Sequence, residues 1–560
     1  MEDYRSWCMA AGASPGDRNG RVHDFDWIVV GSGFGGSVSA LRLAQKGYRV
    51  AVLESGRRLK DSDFARSTWD VRRFLWAPAL GLRGVMRIHI FKDVTALAGA
   101  GVGGGSLVFA NTLYRPPAEF FDAEEWRGLT DWEETLAPFY DEARRMLGAT
   151  KIPFETDGDL LLREVGEELG VGDTFGHPEV AVFFGEPGKT VPDPFFGGEG
   201  PARAGCVRCG GCMIGCRNNA KNTLVKNYLY FAERNGVEII PDRMVSDIRP
   251  LGAADGSDGF AVTAVRPGAW TRKTEATLTA GGVVVSAGTI GTNLLLARCR
   301  RSGSLPRLSK RIGELVRTNN EALHAVTAAD DRFDFGKSVA ITSSIYPEPT
   351  THIENVTYGS GGGLMGLLFM PLTGDGSRLT RPLKLIAKIV RHPFESQRLF
   401  LHRLSWSRRT LIVLTMQSIT SSLKFRTRRL GPWVRLQTMQ NMESPAPAFI
   451  PIAHRAAEIL ARKMKGVPQT NIMEATLNTP TTAHILGGAI IAADPEHGVV
   501  DMHQRAFGYN NLLICDGSVV PANLGVNPSL TITALAEHAM THVPAPDEPK
   551  VALAAGSLQA

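Results

Sequence analysis

A glycine-rich turn between an apolar strand and a helix restricts the fold of this 560-residue chain more than any other feature. The turn, GSGFGG at 31–36, follows the apolar run FDWIVV at 25–30 and opens a stretch with helical spacing of apolar residues. Glu54 ends the next apolar run, where dinucleotide-binding units place the carboxylate that binds a ribose hydroxyl. The pattern predicts an α/β fold with a Rossmann-like parallel sheet, and the acidic residue favours FAD or NAD over NADP.

Each position of the motif has its own reason to lack a side chain. Gly31 allows the tight turn, Gly33 lets backbone N–H groups approach a pyrophosphate, and Gly36 lets the helix pack on the strand. Phe34 and Gly35 complete the motif, and we assign all five residues to a cofactor site. The motif alone also permits a glycine-rich loop without a ligand.

Length and composition exclude several classes of protein. The chain is too long for one ordinary core, and its 43% hydrophobic and 21% charged residues exclude global disorder. A net charge of +6 is modest for this size, so we expect no nucleic-acid partner. The N-terminal segment lacks the apolar run of a signal peptide and no spanning apolar run occurs, so we expect a cytoplasmic protein.

Three further segments resemble a known family. They are GAGVGGGSLVFANTL at 99–113, AHILGG at 483–488 and DGSVVPANLGVNPSLTITALAEHAM at 516–540. In this order they resemble the glucose–methanol–choline (GMC) oxidoreductases, and within that family most closely the cholesterol oxidase branch. The resemblance implies FAD as the cofactor, and the glycine run 103–105 fits a flat ring lying against backbone.

The resemblance also implies two domains, each assembled from separated parts of the chain. An FAD-binding domain would comprise 24–115, 201–329 and 476–545. A discontinuous α+β substrate-binding domain, built on an antiparallel sheet, would comprise 116–200 and 330–475. We expect the leader 1–23 and the tail 546–560 to be flexible.

Further cofactor contacts follow from the same resemblance. In similar enzymes the second glycine cluster runs along the flavin and the pyrophosphate, and an adenine contact follows the strand VEII at 237–240. The residues at the matching positions are Gly103, Gly105, Ser106, Asn111, Val245, Asp516, Gly517, Asn527 and Pro528.

Two residues are candidates for the chemistry of alcohol oxidation. Removal of hydride from an alcohol carbon requires loss of the hydroxyl proton, which a base with a pKa near the operating pH accepts best. His484 occupies the position of the family's active-site histidine, although an isolated histidine can also be structural. Asn527, held before a helix by Pro528, can orient a substrate oxygen or cap that helix.

A third candidate, Glu354, rests on a similarity to the glutamate that moves a proton during double-bond isomerisation in cholesterol oxidases. An apolar cavity would raise the pKa of such a carboxyl, as isomerisation at neutral pH requires. A solvated carboxylate is the alternative, and Glu348 is a competing candidate.

A run of four cysteines is the one motif with metal-binding spacing. Cys206, Cys209, Cys212 and Cys216 follow the spacing of bacterial ferredoxins, with Arg217 in place of proline. No second cysteine run exists to complete a two-cluster arrangement. An iron–sulfur or zinc site is therefore the weaker hypothesis, and thiols or a disulfide are favoured, so we predict no metal.

Positive charge is concentrated in the segment 378–435. This segment contains fourteen Lys or Arg and a single acid, Glu395. Its net positive charge is therefore larger than the +6 of the whole chain. Within it, 382–391 places apolar and basic residues on different faces of a helix. The segment is predicted either to dock on an anionic membrane surface or to be a solvated helix over the substrate cavity.

These observations predict an FAD-dependent enzyme that oxidises a 3β-hydroxysteroid such as cholesterol to the 3-ketosteroid. Isomerisation of the double bond from Δ5 to Δ4 could follow, and the electrons pass to O2 or another acceptor. One alternative is a GMC-type dehydrogenase of another apolar alcohol. The other is a flavin and iron–sulfur electron-transfer protein.

Overall fold

The computed structural model describes residues 22–268, 275–401, 405–430 and 433–546. Residues 1–21 and 547–560, which make up nearly all of the predicted leader and tail, lie outside the described residues.

Two large sheets organise the chain. Their strands are β1 (Phe25–Val30), β2 (Val50–Leu53), β3 (Glu238–Ile240), β4 (Met244–Pro250), β5 (Phe260–Val265), β6 (Glu275–Val285), β7 (Ala322–Ala328), β8 (Ile341–Glu348), β9 (Thr351–Val356), β10 (Phe369–Pro371), β11 (Thr410–Gln417), β12 (Gly466–Asn471) and β13 (Leu512–Ile514). Smaller sheets contain Trp76–Ala77, Leu82–Arg83, Met86–Ile90, Thr95–Gly99, Thr150–Lys151, Glu179–Val180, Thr190–Val191, Arg203–Ala204, Glu314–Arg317, Leu423–Leu430, Trp433–Gln440, Thr481–Thr482 and Leu486–Gly488.

The helices cover or connect these sheets. They are α1 (Phe34–Gln45), α2 (Val71–Phe74), α3 (Ala118–Phe121), α4 (Trp132–Leu147), α5 (Asp157–Glu168), α6 (Tyr228–Arg234), α7 (Gly288–Ser302), α8 (Thr380–Arg391), α9 (Pro393–Leu401), α10 (Trp406–Arg409), α11 (Pro451–Met464), α12 (Ile472–Leu477) and α13 (Ser529–Thr541). None of the described helices is both long and apolar enough to cross a bilayer.

The first sheet has the order β3-β2-β1-β6-β5-β4, and β13 pairs with residues 283–285 of β6, beyond the part of β6 that pairs with β5. Strands β3, β2, β1, β6 and β13 run parallel, whereas β5 and β4 form an antiparallel extension. The central strands are fully buried runs of β-branched residues, as expected for a parallel sheet covered on both faces. The predicted Rossmann-like sheet is therefore confirmed.

The second sheet has the order β8-β9-β11-β7-β12-β10, and all its pairs are antiparallel. Its strands come mainly from the segment predicted to form the substrate domain. Strand β7 is the exception, because residues 322–328 precede the boundary predicted at 330 yet pair with β11 and β12. The run ALHAVTA gives no local sign of which sheet it joins, since either core would bury it.

Candidate active site

The two glycine-rich loops touch each other at one edge of the parallel sheet. A Cβ placed on Gly104 would lie 2.6 Å from the Cα of Gly33. The Ser32 hydroxyl donates to the Gly101 carbonyl oxygen at 3.4 Å and accepts from the Gly103 N–H at 3.0 Å. Residues 31–36 and 101–106, predicted to form one cofactor crevice, therefore lie side by side.

Within the first loop, the structure separates glycines required by packing from one that faces open space. A Cβ on Gly31 or Gly35 would lie 2.2 Å from the Ser286 carbonyl oxygen or 1.7 Å from that of Cys515. A Cβ on Gly33 would meet no protein atom within 4 Å, and Gly33 has an ordinary extended φ of −74°. An open position at the N-terminus of α1 fits the pyrophosphate of a dinucleotide.

The second loop offers hydrogen-bonding groups to the same crevice. Asn111 is fully buried, its side chain interacts with the Cys212 thiol, and its amide oxygen lacks a hydrogen-bond partner. A buried polar atom without a partner is costly, so this oxygen suits a polar ligand such as a flavin edge. Gly105 stands against the Phe34 ring, which itself packs edge-on against Phe109 at 5.5 Å. These features fit FAD.

Two other predicted cofactor residues, Glu54 and Ser106, make hydrogen bonds within the protein. Glu54 directly follows β2, and its carboxylate accepts from the Ser32 N–H at 3.1 Å and the Gly56 N–H at 2.7 Å. The Ser106 hydroxyl donates to the Gly103 carbonyl at 2.6 Å and accepts from the Leu224 N–H at 3.0 Å. Both side chains hold the loops of the crevice, and their contact with FAD stays a prediction.

The C-terminal segment completes the surroundings of this crevice. Asp516 accepts from the Gly288 N–H at 2.9 Å and the Thr292 hydroxyl at 2.5 Å, and burial raises its pKa. Gly517 begins a 3-10 turn against Leu486, and Val245 is buried in β4. Their predicted contacts with FAD, and those of Gly36, Gly103 and Pro528, stay predictions.

His484 is held by a carboxylate that the sequence did not indicate. Its Nδ1 lies 2.6 Å from Oε1 of Glu321, a fully buried side chain immediately before β7. Glu321 also accepts from the Thr482 hydroxyl at 2.9 Å and the Ala483 N–H at 2.8 Å. An Nδ1–H that donates to a carboxylate leaves the Nε2 lone pair free to accept a proton.

The free edge of this imidazole faces the other two predicted residues. Asn527 Nδ2 lies 3.5 Å from His484 Nε2 and 3.4 Å from Glu354 Oε2. Asn527 Oδ1 and Glu354 Oε1 are buried and without partners. The three predicted catalytic side chains are thus neighbours, and their unused polar atoms can receive a substrate oxygen.

Glu354 lies in β9, with its side chain fully buried. Burial raises the pKa of this carboxyl to about 8, and the negative charge of Glu321 adds to the rise, whereas hydrogen bonds from Asn527 and Tyr114 oppose it. Burial also raises the pKa of the Tyr114 hydroxyl, and Glu354 raises it further. The competing candidate Glu348 is exposed and accepts from the Thr351 hydroxyl.

The glycine crevice and this group of side chains adjoin. The Ser529 hydroxyl, two residues after Asn527, donates to the Thr112 carbonyl at 3.2 Å, and Thr112 follows the buried amide of Asn111. The chain that follows the second glycine loop therefore passes the start of α13. Farther along it, Tyr114 interacts with the carboxyl of Glu354.

The four cysteines of the ferredoxin-like run are free thiols. Cys206 accepts from the Arg208 N–H and Cys209 from the Asn218 amide, both at 3.4 Å. No three of their sulfur atoms lie within 4.8 Å of one another in the described structure. This arrangement gives no support to the iron–sulfur or zinc hypothesis for this segment.

Comparison with known proteins agrees with this geometry. Two segments match models of the GMC oxidoreductases, at 202–313 and 434–536, and 29–60 matches an NAD(P)-binding Rossmann-like domain. The chain is 48% identical over 529 residues to a cholesterol oxidase of Mycobacterium tuberculosis (strain ATCC 25618 / H37Rv), covering 92% of this chain and 90% of the relative. A cholesterol oxidase of Acinetobacter baumannii is 45% identical, with 93% and 95% covered.

Among solved structures, formate oxidase of Aspergillus oryzae RIB40 has a TM-score of 0.59 at 16% identity, covering 92% of this chain and 97% of that one. The fold and the site define a flavoenzyme that oxidises alcohols and uses FAD. The chain belongs to the GMC oxidoreductase family. The predicted family, fold class and cofactor are confirmed.

Proposed function

We propose that this enzyme oxidises the 3β-hydroxyl of a cholesterol-like steroid to the 3-ketone. The observation that carries the proposal is His484, held at Nδ1 by Glu321 and facing Asn527 and Glu354 beside the glycine crevice. The similarity to two cholesterol oxidases supports a sterol as the substrate.

The residues divide the work of oxidation between a base and an orienting amide. His484 Nε2 accepts the hydroxyl proton, and the carboxylate of Glu321 stabilises the resulting imidazolium. The Asn527 amide donates to the substrate oxygen and holds it near the imidazole. Bound FAD would supply the two-electron acceptor for the C3 hydride, with O2 as the terminal oxidant and hydrogen peroxide as its reduced product.

Glu354 then isomerises the steroid that remains bound. As a carboxylate it removes a proton from C4 of the 5-en-3-one, the double bond moves into conjugation, and the same carboxyl returns the proton to C6. No atom or electron is gained or lost overall. With a pKa of about 8, the carboxylate is basic enough to deprotonate C4 of the steroid. A fraction of the carboxyl is still ionised near neutral pH.

Oxygen consumption with defined alcohols tests the substrate. We expect the enzyme to consume O2 and release peroxide with cholesterol, and to respond much more weakly to long-chain primary alcohols. His484→Asn should lower the rate with cholesterol by about 100-fold or more, because the base is lost. Equal rates with both alcohols, or full activity of the variant, would contradict the proposal.

We further propose that helix α8 docks the enzyme on an anionic membrane. This helix buries a basic side chain and exposes apolar ones, whereas a solvated helix does the opposite. Arg381 is buried and donates to the Ala448 carbonyl and the Asn478 amide oxygen, both at 2.9 Å. Its outer face is apolar, and basic side chains stand beside it. The exposed apolar residues of this face are Leu379, Leu383, Ile386, Val390 and Phe394.

Such a face is favourable only where apolar side chains leave water and basic ones meet anionic headgroups. Sedimentation with vesicles containing phosphatidylserine tests it. We expect binding that weakens with salt and is lost in a variant with Leu383, Ile386 and Val390 replaced by serine. Leu80→Ser, at an exposed leucine elsewhere, is the matched control. Binding that survives the triple substitution would refute this docking mode.

The cytoplasmic location stays a prediction.

A further inference from the structure

Three histidines from distant parts of the sequence meet at the far end of helix α13. His538 lies in the last turn of the helix, His542 follows it by one turn, and His503 comes from the loop before β13. One ring nitrogen of each lies within 4.8 Å of the others. No part of the cofactor crevice or of the His484 site includes them.

Their spacing matches that of imidazole ligands on one metal ion. His538 Nε2 and His542 Nε2 are 3.3 Å apart. Two nitrogens bound to a tetrahedral zinc at about 2.05 Å each would be separated by about 3.3 Å. The rings of His503 and His542 lie 3.8 Å apart, centre to centre, and one nitrogen of His503 lies within 4.8 Å of a nitrogen of each of the other two.

The cluster is also fixed in position before any ion binds. His538 is buried and packs edge-on against Trp132 at 6.0 Å and Phe139 at 5.4 Å, while His503 and His542 are half-buried. His538 Nδ1 and His503 Nδ1 are buried without a hydrogen-bond partner. In His538 this nitrogen is not the one that faces His542, because the 3.3 Å contact is made by Nε2.

Neighbouring side chains hold the backbone that carries the three rings. The Gln504 amide donates to the Leu535 carbonyl at 2.7 Å, and Asp501 accepts from the His503 N–H at 2.9 Å. The cations nearest the cluster are committed to the helix end: Arg505 donates to the His542 carbonyl at 3.0 Å, and Lys46 to the Met540 carbonyl at 2.8 Å.

We propose that His503, His538 and His542 bind a divalent first-row transition ion such as Zn²⁺, with water in the fourth position. Imidazole suits these ions, whereas a three-nitrogen site without carboxylates does not suit Mg²⁺ or Ca²⁺. The ion ties the 501–505 loop to the end of α13, and Asn527 lies just before the start of that helix. Its role is to stabilise the fold around the site rather than to take part in the oxidation.

Metal titration of the tag-free, FAD-loaded enzyme tests the site. After treatment with EDTA and dialysis, we expect one Zn²⁺ per chain by calorimetry and a rise in Tm on adding Zn²⁺. Co²⁺ should give tetrahedral d–d bands at wavelengths longer than those of the flavin. His503→Gln and His542→Gln should each weaken binding by at least about tenfold and abolish the Tm rise.

His497→Gln is the matched control, because His497 is exposed and pairs with Asp494 outside the cluster. It should bind Zn²⁺ like the unmodified enzyme. The flavin spectrum and the oxidase rate without added metal verify that every variant is folded. The proposal is overturned by the absence of stoichiometric binding, by variants of the cluster that still bind, or by a control that loses affinity equally.

Discussion

His484 depends on a partner that precedes it by more than 160 residues. Glu321 is buried, and its oxygens accept from the imidazole, from Thr482 and from the Ala483 N–H, so one carboxylate fixes both the ring and the turn that carries it. No motif surrounds Glu321 in the sequence. The pairing of the strand Glu314–Arg317 with Leu486–Gly488 brings the two segments together.

Glu321→Gln should therefore lower kcat much more than it changes KM. The loss should be about 100-fold, because the neutral amide no longer stabilises the imidazolium that forms on proton transfer. Steady-state kinetics with cholesterol measures kcat and KM separately.

Two further variants separate positioning from folding. Glu321→Asp should recover part of the lost rate, and Glu348→Gln, at an exposed carboxylate, should leave rate and pH profile unchanged. A Glu321→Gln enzyme that keeps the full kcat would mean that the carboxylate only supports the backbone.

Glu354 makes the stability of the protein depend on pH. Its pKa rises from 4.5 to about 8 on folding, so the folded state holds the proton more tightly than the unfolded chain. The stability that this proton contributes is present below about pH 4.5 and is lost as pH rises through 8. The loss approaches about 5 kcal/mol, at about 1.36 kcal/mol per pH unit.

Glu354→Gln removes this dependence, because the amide is neutral at every pH. Compared with the unmodified enzyme, the variant should gain Tm between about pH 5 and about pH 9, and should release the unisomerised 5-en-3-one. Thermal melts and product analysis check the two effects. Parallel pH dependence in the two proteins would show that the carboxyl is not desolvated.

Among the elements, the turn between β1 and α1 shows how one motif meets two demands. Gly35 lets the helix start against the Cys515 carbonyl, which is a demand of packing, whereas Gly33 borders open space. The sequence predicts the turn and the helix correctly because the pattern is local. The motif also assigns Gly33 to the ligand, but the packing of Gly35 against Cys515 depends on a contact between distant segments that the motif does not encode.

Substituting the two glycines should separate these demands. Gly33→Ala should fold and lose FAD affinity, because the added methyl group competes with the cofactor rather than with protein atoms. Gly35→Ala should fail to fold stably, since its Cβ would lie 1.7 Å from a carbonyl oxygen. Gly176→Ala, also open around its Cβ, is the control and should keep FAD. Flavin absorbance per chain and Tm report the outcome; a Gly33→Ala protein with full FAD content would contradict this reading.

Across the chain, local patterns and family motifs were sufficient for the sheets and for the three catalytic candidates. Strand β1 follows the apolar run at 25–30, and helix α13 begins directly after Asn527 and Pro528, as the sequence predicts. The sheet to which β7 belongs and the partner of His484 depend on contacts between distant segments, which no local pattern encodes. The cluster of His503, His538 and His542 is not predicted from the sequence for the same reason.

One crevice, formed by two glycine loops, holds FAD beside the His484 base. Anaerobic addition of cholesterol to the purified enzyme, followed by visible absorbance, tests this arrangement. We predict bleaching of the oxidised flavin band in the unmodified enzyme and bleaching slowed by about 100-fold or more in His484→Asn. A protein that carries no flavin, or a flavin band that cholesterol leaves unchanged, would contradict the claim.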